Sequence, residues 1–209
     1  MARLIEPKCR ICRRAGMKLL LKGEKCLGMK CILDKRKFPP GVRSRRGVRI
    51  TNYLLQIREK QKLKKMYGLF EKQFRRFFQI AEKKKGPTGD NLLLLLERRL
   101  DNLIFRTCFA SSRQQARQLV RHGHVRVNNR KVNIPSYLAK EGDIVTIKER
   151  SQKLYPVLKS MSRLENEVLP EWFAVDGENY KITINRVPDI KDITIPINLQ
   201  LIIELYSKV

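Results

Sequence analysis

The chain has 209 residues, 42% of them apolar, which supports one large domain or two small ones and argues against wholesale disorder. Lys and Arg number 46 against 20 Asp and Glu, a formal net charge of +26. That excess self-repels unless a polyanion neutralises it, so the expected partner is nucleic acid or an anionic membrane. No apolar run approaches the ~20 residues that cross a bilayer. The leucines at 92–96 are followed at once by Glu97, Arg98 and Arg99. The N-terminus lacks a secretory apolar segment, so a cytosolic protein that binds nucleic acid is expected.

Residues 1–37 show little apolar periodicity and carry four of the five cysteines. Pro39, Pro40 and Gly41 then open a linker that can continue neither helix nor strand. From Thr51 to Lys85 the pattern is helical, with Tyr67, Phe70, Phe74, Phe77 or Phe78, and Ala81 lining one face and Gly68 breaking the run in two. Asp90 is expected to cap a helix carrying Leu92, Leu93, Leu96, Leu100, Leu103 and Ile104 on one side. Ser111 or Ser112 caps the next helix, which ends near Gly123.

The period then changes to two. Residues 124–134 and 143–149 read as strands, with Asn128 and Asn129 taking positive φ in a tight turn. Residues 172–184 form a further hairpin candidate around Asp176 and Gly177. Asn198 caps a closing helix in which Leu199, Ile202, Ile203 and Tyr206 share a face.

Cys9-x2-Cys12 and Cys26-x4-Cys31 are paired knuckles, each able to present two thiolates to one ion. Nearby Lys8, Arg10, Arg13, Arg14, Lys25 and Lys30 favour thiolate over thiol. The spacing points to a structural zinc ion, with a [4Fe–4S] cluster as the alternative that four thiolates equally suit. Cys108 reads instead as a small buried hydrophobe.

Fifteen Lys and Arg against three Glu lie between Arg43 and Lys85. Lys60, Lys62, Lys64 and Lys65 form one patch, and Lys72, Arg75 and Arg76 point away from Phe70 and Phe74. With so few acids to pair with, these cations are expected to meet phosphate. Arg113, Arg117 and Arg121 recur at four-residue spacing, while Ala116, Leu119 and Val120 face the core. Arg99 extends this surface from the preceding helix, and Arg126 and Lys131 continue it on the strands. Arginine forks suit phosphate oxygens and can stack on bases. His122 and His124 flank Gly123 with no carboxylate placed to orient them for catalysis, so they read as binding residues.

The stretch "ERRLDNLIFRTCFASSRQQARQLVRHGHVRVNNRKVNIPSYLAKEGDIV" closely resembles the RNA-binding module of the universal S-four family of small-subunit ribosomal proteins. "CRICRRAGMKLLLKGEKC", "REKQKLKKMYGLFEKQFRRFF" and "KKGPTGDNLLLLLERRLDN" resemble the remainder of its bacterial members, in order. The resemblance implies an α+β chain: an N-terminal cysteine-rich metal module, a mainly helical domain, and an α/β RNA-binding module with a small, mostly antiparallel sheet. The implied divisions are residues 1–43 for the arm and linker, 44–97 joined by the C-terminal helix 198–209, and 98–197 for the module and its following hairpin.

It also implies a cytoplasmic constituent of the small ribosomal subunit that binds 16S rRNA at a multi-helix junction, nucleates assembly and influences decoding accuracy. The implied partners are ribosomal protein S-five and messenger RNA at the entry path, with no membrane and no homo-oligomer. Arg43, Arg45, Arg46 and Arg49 join the expected RNA contacts. Family members commonly have Asn-Gly where this chain has Asn128-Asn129, and glycine where it has Cys108.

Two rivals share the module. Pseudouridine synthases and tyrosyl-tRNA synthetases carry it as an appendage, but no stretch here is left for a catalytic domain, and Asp101 lies in an apolar-periodic helix. A transient stress chaperone or regulator is opposed by the added basic helices and cysteine arm. A membrane-surface role is weak, because the cationic helices have no apolar face left once the core is assigned.

Overall fold

A computed structural model of the chain describes residues 5–41, 50–164 and 167–207. The chain divides into two compact units, one of residues 1–92 with 195–209 and one of residues 93–194. Among the described residues no helix is long and apolar enough to cross a membrane.

The first unit opens with the short helices α1 (Lys8–Ala15), α2 (Glu24–Leu27) and α3 (Ile32–Lys35). It continues with α4 (Asn52–Met66) and α5 (Glu71–Glu82). The Thr51 hydroxyl caps α4 by accepting from the Leu54 N–H at 3.3 Å. The break falls at Gly68, whose φ of 65° lies in the left-handed region that glycine enters without steric cost. Leu63, Phe74, Phe77, Phe78 and Ala81 are buried together with Ile202 and Leu205 of α11 (Leu199–Ser207). Tyr206 stacks on Phe78, with ring centroids 4.3 Å apart. Phe70 departs from the expected stripe: it is the N-cap of α5 and stays exposed.

The next helix, α6 (Thr88–Glu97), starts earlier than expected. Asp90 therefore sits in its first turn, where its charge complements the helix dipole, and is not the cap.

The expected single helix through Ile104 is two helices, α6 and α7 (Leu100–Arg106). Arg99 between them is extended, with φ −66° and ψ 137°. The chain leaves the helix there because neighbouring backbone offers other partners. Leu100 N–H donates to the Tyr137 carbonyl and Ala139 N–H to the Arg98 carbonyl, both at 2.9 Å.

In the second unit α8 (Arg113–Arg121) is capped by Ser112, which accepts from the Gln115 N–H at 3.3 Å. It ends at Gly123, φ 73°. The strands β1 (Val125–Val127), β2 (Arg130–Lys131) and β3 (Ile144–Ile147) are followed by α9 (Glu149–Gln152) and α10 (Tyr155–Met161). A hairpin, β4 (Phe173–Asp176) and β5 (Lys181–Ile184), and a 3-10 turn (Ile190–Asp192) complete it. The described strands form one sheet, ordered β2-β1-β3-β5-β4, with every pairing antiparallel. Its inward residues, Val125, Val127, Val145, Ile147, Ile182 and Ile184, pack with Leu100, Leu103, Val120 and Trp172 in one core.

The β1–β2 turn has φ of 49° at Asn128 and 64° at Asn129, the double positive φ of a type I′ turn. Asn128 offsets the strain with its side chain: Nδ2 donates to Asp143 Oδ1 and Oδ1 accepts from Ile144 N–H, both at 2.9 Å. Cys108 is buried with φ 59°, in the region where glycine is at home.

Candidate RNA-binding surface

The geometry of α8 sorts its arginine stripe by depth. Arg113 Nε donates to Asn102 Oδ1 at 2.8 Å, and its guanidinium lies 4.5 Å from the centre of the Phe105 ring. Arg117 lies 3.8 Å from Asp101, and burial lowers its pKa while the Asp101 carboxylate opposes that shift. Arg121, one turn further on, is exposed. One stripe therefore runs from anchored to open because its first two members pack against α7.

Beyond Arg121 the chain concentrates cations at a turn. His122 is exposed, and the His122 and His124 rings lie 6.0 Å apart between centroids. His124 Nδ1 shares a hydrogen bond with Ser151 Oγ at 2.8 Å, which fixes the ring's orientation. Burial, then the neighbouring His122 and Lys148, lower its pKa below the ordinary 6.5. Arg126 and Lys131 are exposed cross-strand partners on β1 and β2. The Lys131 side chain also reaches the α8–β1 turn, where a Cβ on Gly123 would collide with it. Glycine at 123 thus admits a lysine beside the two histidines. A turn built this way can neutralise phosphates and donate hydrogen bonds to RNA oxygens.

Two expectations fail here. Arg99 does not extend the surface: it is fully buried, and its Nη2 lies 2.7 Å from Asp101 Oδ2. The sequence pattern misses this because the kink between α6 and α7 turns the residue inward. The expected set of cations also omits Lys148. It is half-buried beside His124, and its N–H donates to the His124 carbonyl at 2.9 Å. Lys148 follows β3 directly, and continuing the alternation of Val145, Thr146 and Ile147 by one residue puts it on the strand's outward side, which is the signal that identifies it.

The first unit corrects the expectation that its lysines have too few acids to pair with. Lys60 and Lys64 both bond Glu71, at 2.8 and 2.5 Å. Lys62 pairs with Glu59 at 2.5 Å and Lys65 with Glu6 at 2.7 Å. Few acids suffice because Glu71 serves two lysines and Glu6 arrives from the N-terminal arm. Burial would raise the Glu71 carboxyl, but the Lys60 and Lys64 ammoniums override it and hold its pKa at about 2. Lys72, Arg75 and Arg76 are exposed on α5, opposite its buried phenylalanines, as expected. Arg43, Arg45, Arg46 and Arg49 lie outside the described residues.

Of the cysteines, Cys12, Cys26 and Cys31 are buried and Cys9 is half-buried. Lys22 N–H donates to Cys26 Sγ at 3.3 Å. Burial raises the Cys12 thiol, partly offset by a hydrogen bond from the Leu19 backbone. Backbone N–H groups on sulfur suit thiolate ligands, so the donor set fits a soft ion. Among the described residues, however, no group of three or more His, Cys, Asp or Glu is arranged to hold one.

Residues 3–97 match the family model for the ribosomal protein S4/S9 N-terminal domain, and residues 98–145 match the S4 domain. The chain is 50% identical to small ribosomal subunit protein uS4 of Syntrophus aciditrophicus, over 100% of both chains. The chain belongs to the uS4 family. Further uS4 relatives are 47% identical, in Geobacter sp. strain M21, and 48% identical, uS4A in Myxococcus xanthus, again over 100% of each chain. The uS4 family comprises structural ribosomal proteins and not enzymes.

Proposed function

We propose that the protein is a primary 16S rRNA-binding constituent of the small ribosomal subunit, acting in the cytoplasm. Its relatives are named as small-subunit proteins, and the family match runs the length of the chain. The observation that carries the RNA reading is the α8–β1–β2 face, where Arg121, His122, Arg126 and Lys131 are all exposed. Capture is electrostatic, and recognition follows backbone shape at a multi-helix junction, where converging strands present phosphates from several directions. Binding there nucleates assembly of the subunit body. The same position sets a neighbour contact with ribosomal protein S-five, borders the messenger entry path and influences decoding accuracy.

The proposal includes a structural metal ion. Cys9, Cys12, Cys26 and Cys31 would hold zinc, or a [4Fe–4S] cluster in its place, and the ion would cross-link three short helices that bury little apolar surface themselves. The buried thiols and the backbone hydrogen bonds to Cys12 and Cys26 support this.

Crosslinking the protein in cells and sequencing the bound RNA tests the function. Sites clustered at one junction of 16S rRNA are expected. Sites spread over tRNAs or messengers would sink the ribosomal reading.

A further inference from the structure

We infer that the cleft between α1 and α4 is a pocket for one unstacked nucleotide of the bound RNA. The inference rests on the ribosomal RNA reading above. The cleft has a volume of about 520 Å³, within the range of roughly 300–1,000 Å³ usual for small-molecule sites. Two helix faces build it. Pro7, the N-cap of α1, is followed at four-residue spacing by Ile11 and Ala15 on the helix, and α4 supplies Leu54 and Ile57. Leu19, fully buried, also lines it. Apolar walls of this kind favour an occupant with an apolar face.

The rest of the lining narrows the choice. Arg10, Arg14 and Arg58 join the apolar walls, with Lys62 and Lys65 beside them. The lining carboxylate, Glu6, is engaged by Lys65 at 2.7 Å. The cleft thus suits an occupant that combines an apolar part with anionic groups. A nucleotide has that form, because its base presents a π-face and its phosphates meet the cations. Guanidinium groups add stacking that an ammonium cannot. An apolar peptide would match the walls but leave the arginines without counter-charge.

Gln61 is the uncharged hydrogen-bonding side chain among the described lining residues. Its amide carries both donor and acceptor, as reading a base edge requires. Bases in a duplex are stacked away from such a cleft, so the occupant comes from a loop, bulge or junction.

The test uses the full-length protein and 16S rRNA. With p-benzoylphenylalanine in place of Ala15, ultraviolet crosslinking is expected at one unpaired nucleotide. Ile57→Trp, which fills the cleft, should lower affinity about tenfold, the equivalent of roughly one stacked base. Gln61→Leu should lower it several-fold, and circular dichroism of both variants should match the parent. If the parent itself does not bind 16S rRNA, the ribosomal reading falls and takes this inference with it. If the parent binds and both variants bind equally well, the pocket assignment is overturned. Crosslinks from Ala15 to a protein in whole subunits would overturn it as well.

Discussion

Arg99 and Asp101 form a buried ion pair two residues apart, with Nη2 to Oδ2 at 2.7 Å and Nε to Oδ1 at 3.0 Å. The pair is possible only because the chain leaves the helix at Arg99, so that its side chain and that of Asp101 face each other. Arg117 of α8 shares the same carboxylate at 3.8 Å. Asp101 thereby ties the α6–α7 corner to the first part of the arginine stripe. Asp101→Asn removes the carboxylate charge that faces a buried guanidinium and should cost about 3–5 kcal/mol. Urea unfolding followed by circular dichroism measures this. A stability loss below about 1 kcal/mol, the range of an exposed pair, would show that the pair is not the lock described.

The exposed and buried cations should separate in salt titrations. Alanine at Arg121, Arg126 or Lys131 should weaken 16S rRNA binding. It should also reduce the slope of log affinity against log salt by about 0.7–0.9 for each phosphate no longer neutralised. Arg99→Met should leave that slope unchanged in whatever fraction remains folded. A reduced slope for Arg99→Met would place it at the RNA after all.

The Asn128 side chain gives the β1–β2 turn a specific weakness. Asn128→Ala removes two hydrogen bonds and one of the donors to buried Asp143, which also accepts from Tyr137 Oη and Lys140 N–H. A cost of about 1–3 kcal/mol is expected. Asn129→Gly should be neutral or stabilising, because glycine accepts positive φ there without steric cost. Thermal melts should show a clear drop for Asn128→Ala and no drop for Asn129→Gly, and a shared large drop would contradict the assigned turn.

Glu71 sets an acid limit for the helical unit. Its folded pKa of about 2 lies below its ordinary 4.5, so its contribution is complete above pH 4.5 and is lost as pH falls from there toward 2. Glu71→Gln should lower the melting temperature at pH 7 and flatten the decline across that window. Because the carboxylate is about half exposed, solvent screening keeps the effect modest. An unchanged pH profile in the variant would mean that Lys60 and Lys64 do not hold it.

The metal proposal has its own readout. Purified protein should contain one zinc per chain, or iron with sulfide, and Cys9→Ser or a strong chelator should release it. Limited proteolysis should then cut within residues 1–37 while residues 93–194 stay protected. Protein that lacks metal and resists proteolysis equally would remove the ion from the account.

What the sequence determined by itself was whatever repeats locally. The charge excess pointed to a polyanion, and three- and four-residue spacing located the buried faces carrying Phe74, Phe77, Leu103 and Val120. Gly68, Ser112 and the Asn128–Asn129 pair marked a break, a cap and a turn through conformational preferences that belong to those residues. The exposed cations Lys72, Arg75, Arg76, Arg121, Arg126 and Lys131 followed from the same periodicities.

What the tertiary structure decided was partner choice between elements distant in sequence. Arg99 turned inward because backbone at Tyr137 and Ala139 competed with the helix. Lys65 found its acid 59 positions away at Glu6. Lys148 came beside His124 through strand pairing, and α1 met α4 to make a cleft that neither helix contains. Periodicity records which side of an element is buried, but electrostatic pairing depends on which charges meet across the space between elements, and only the folded chain fixes that.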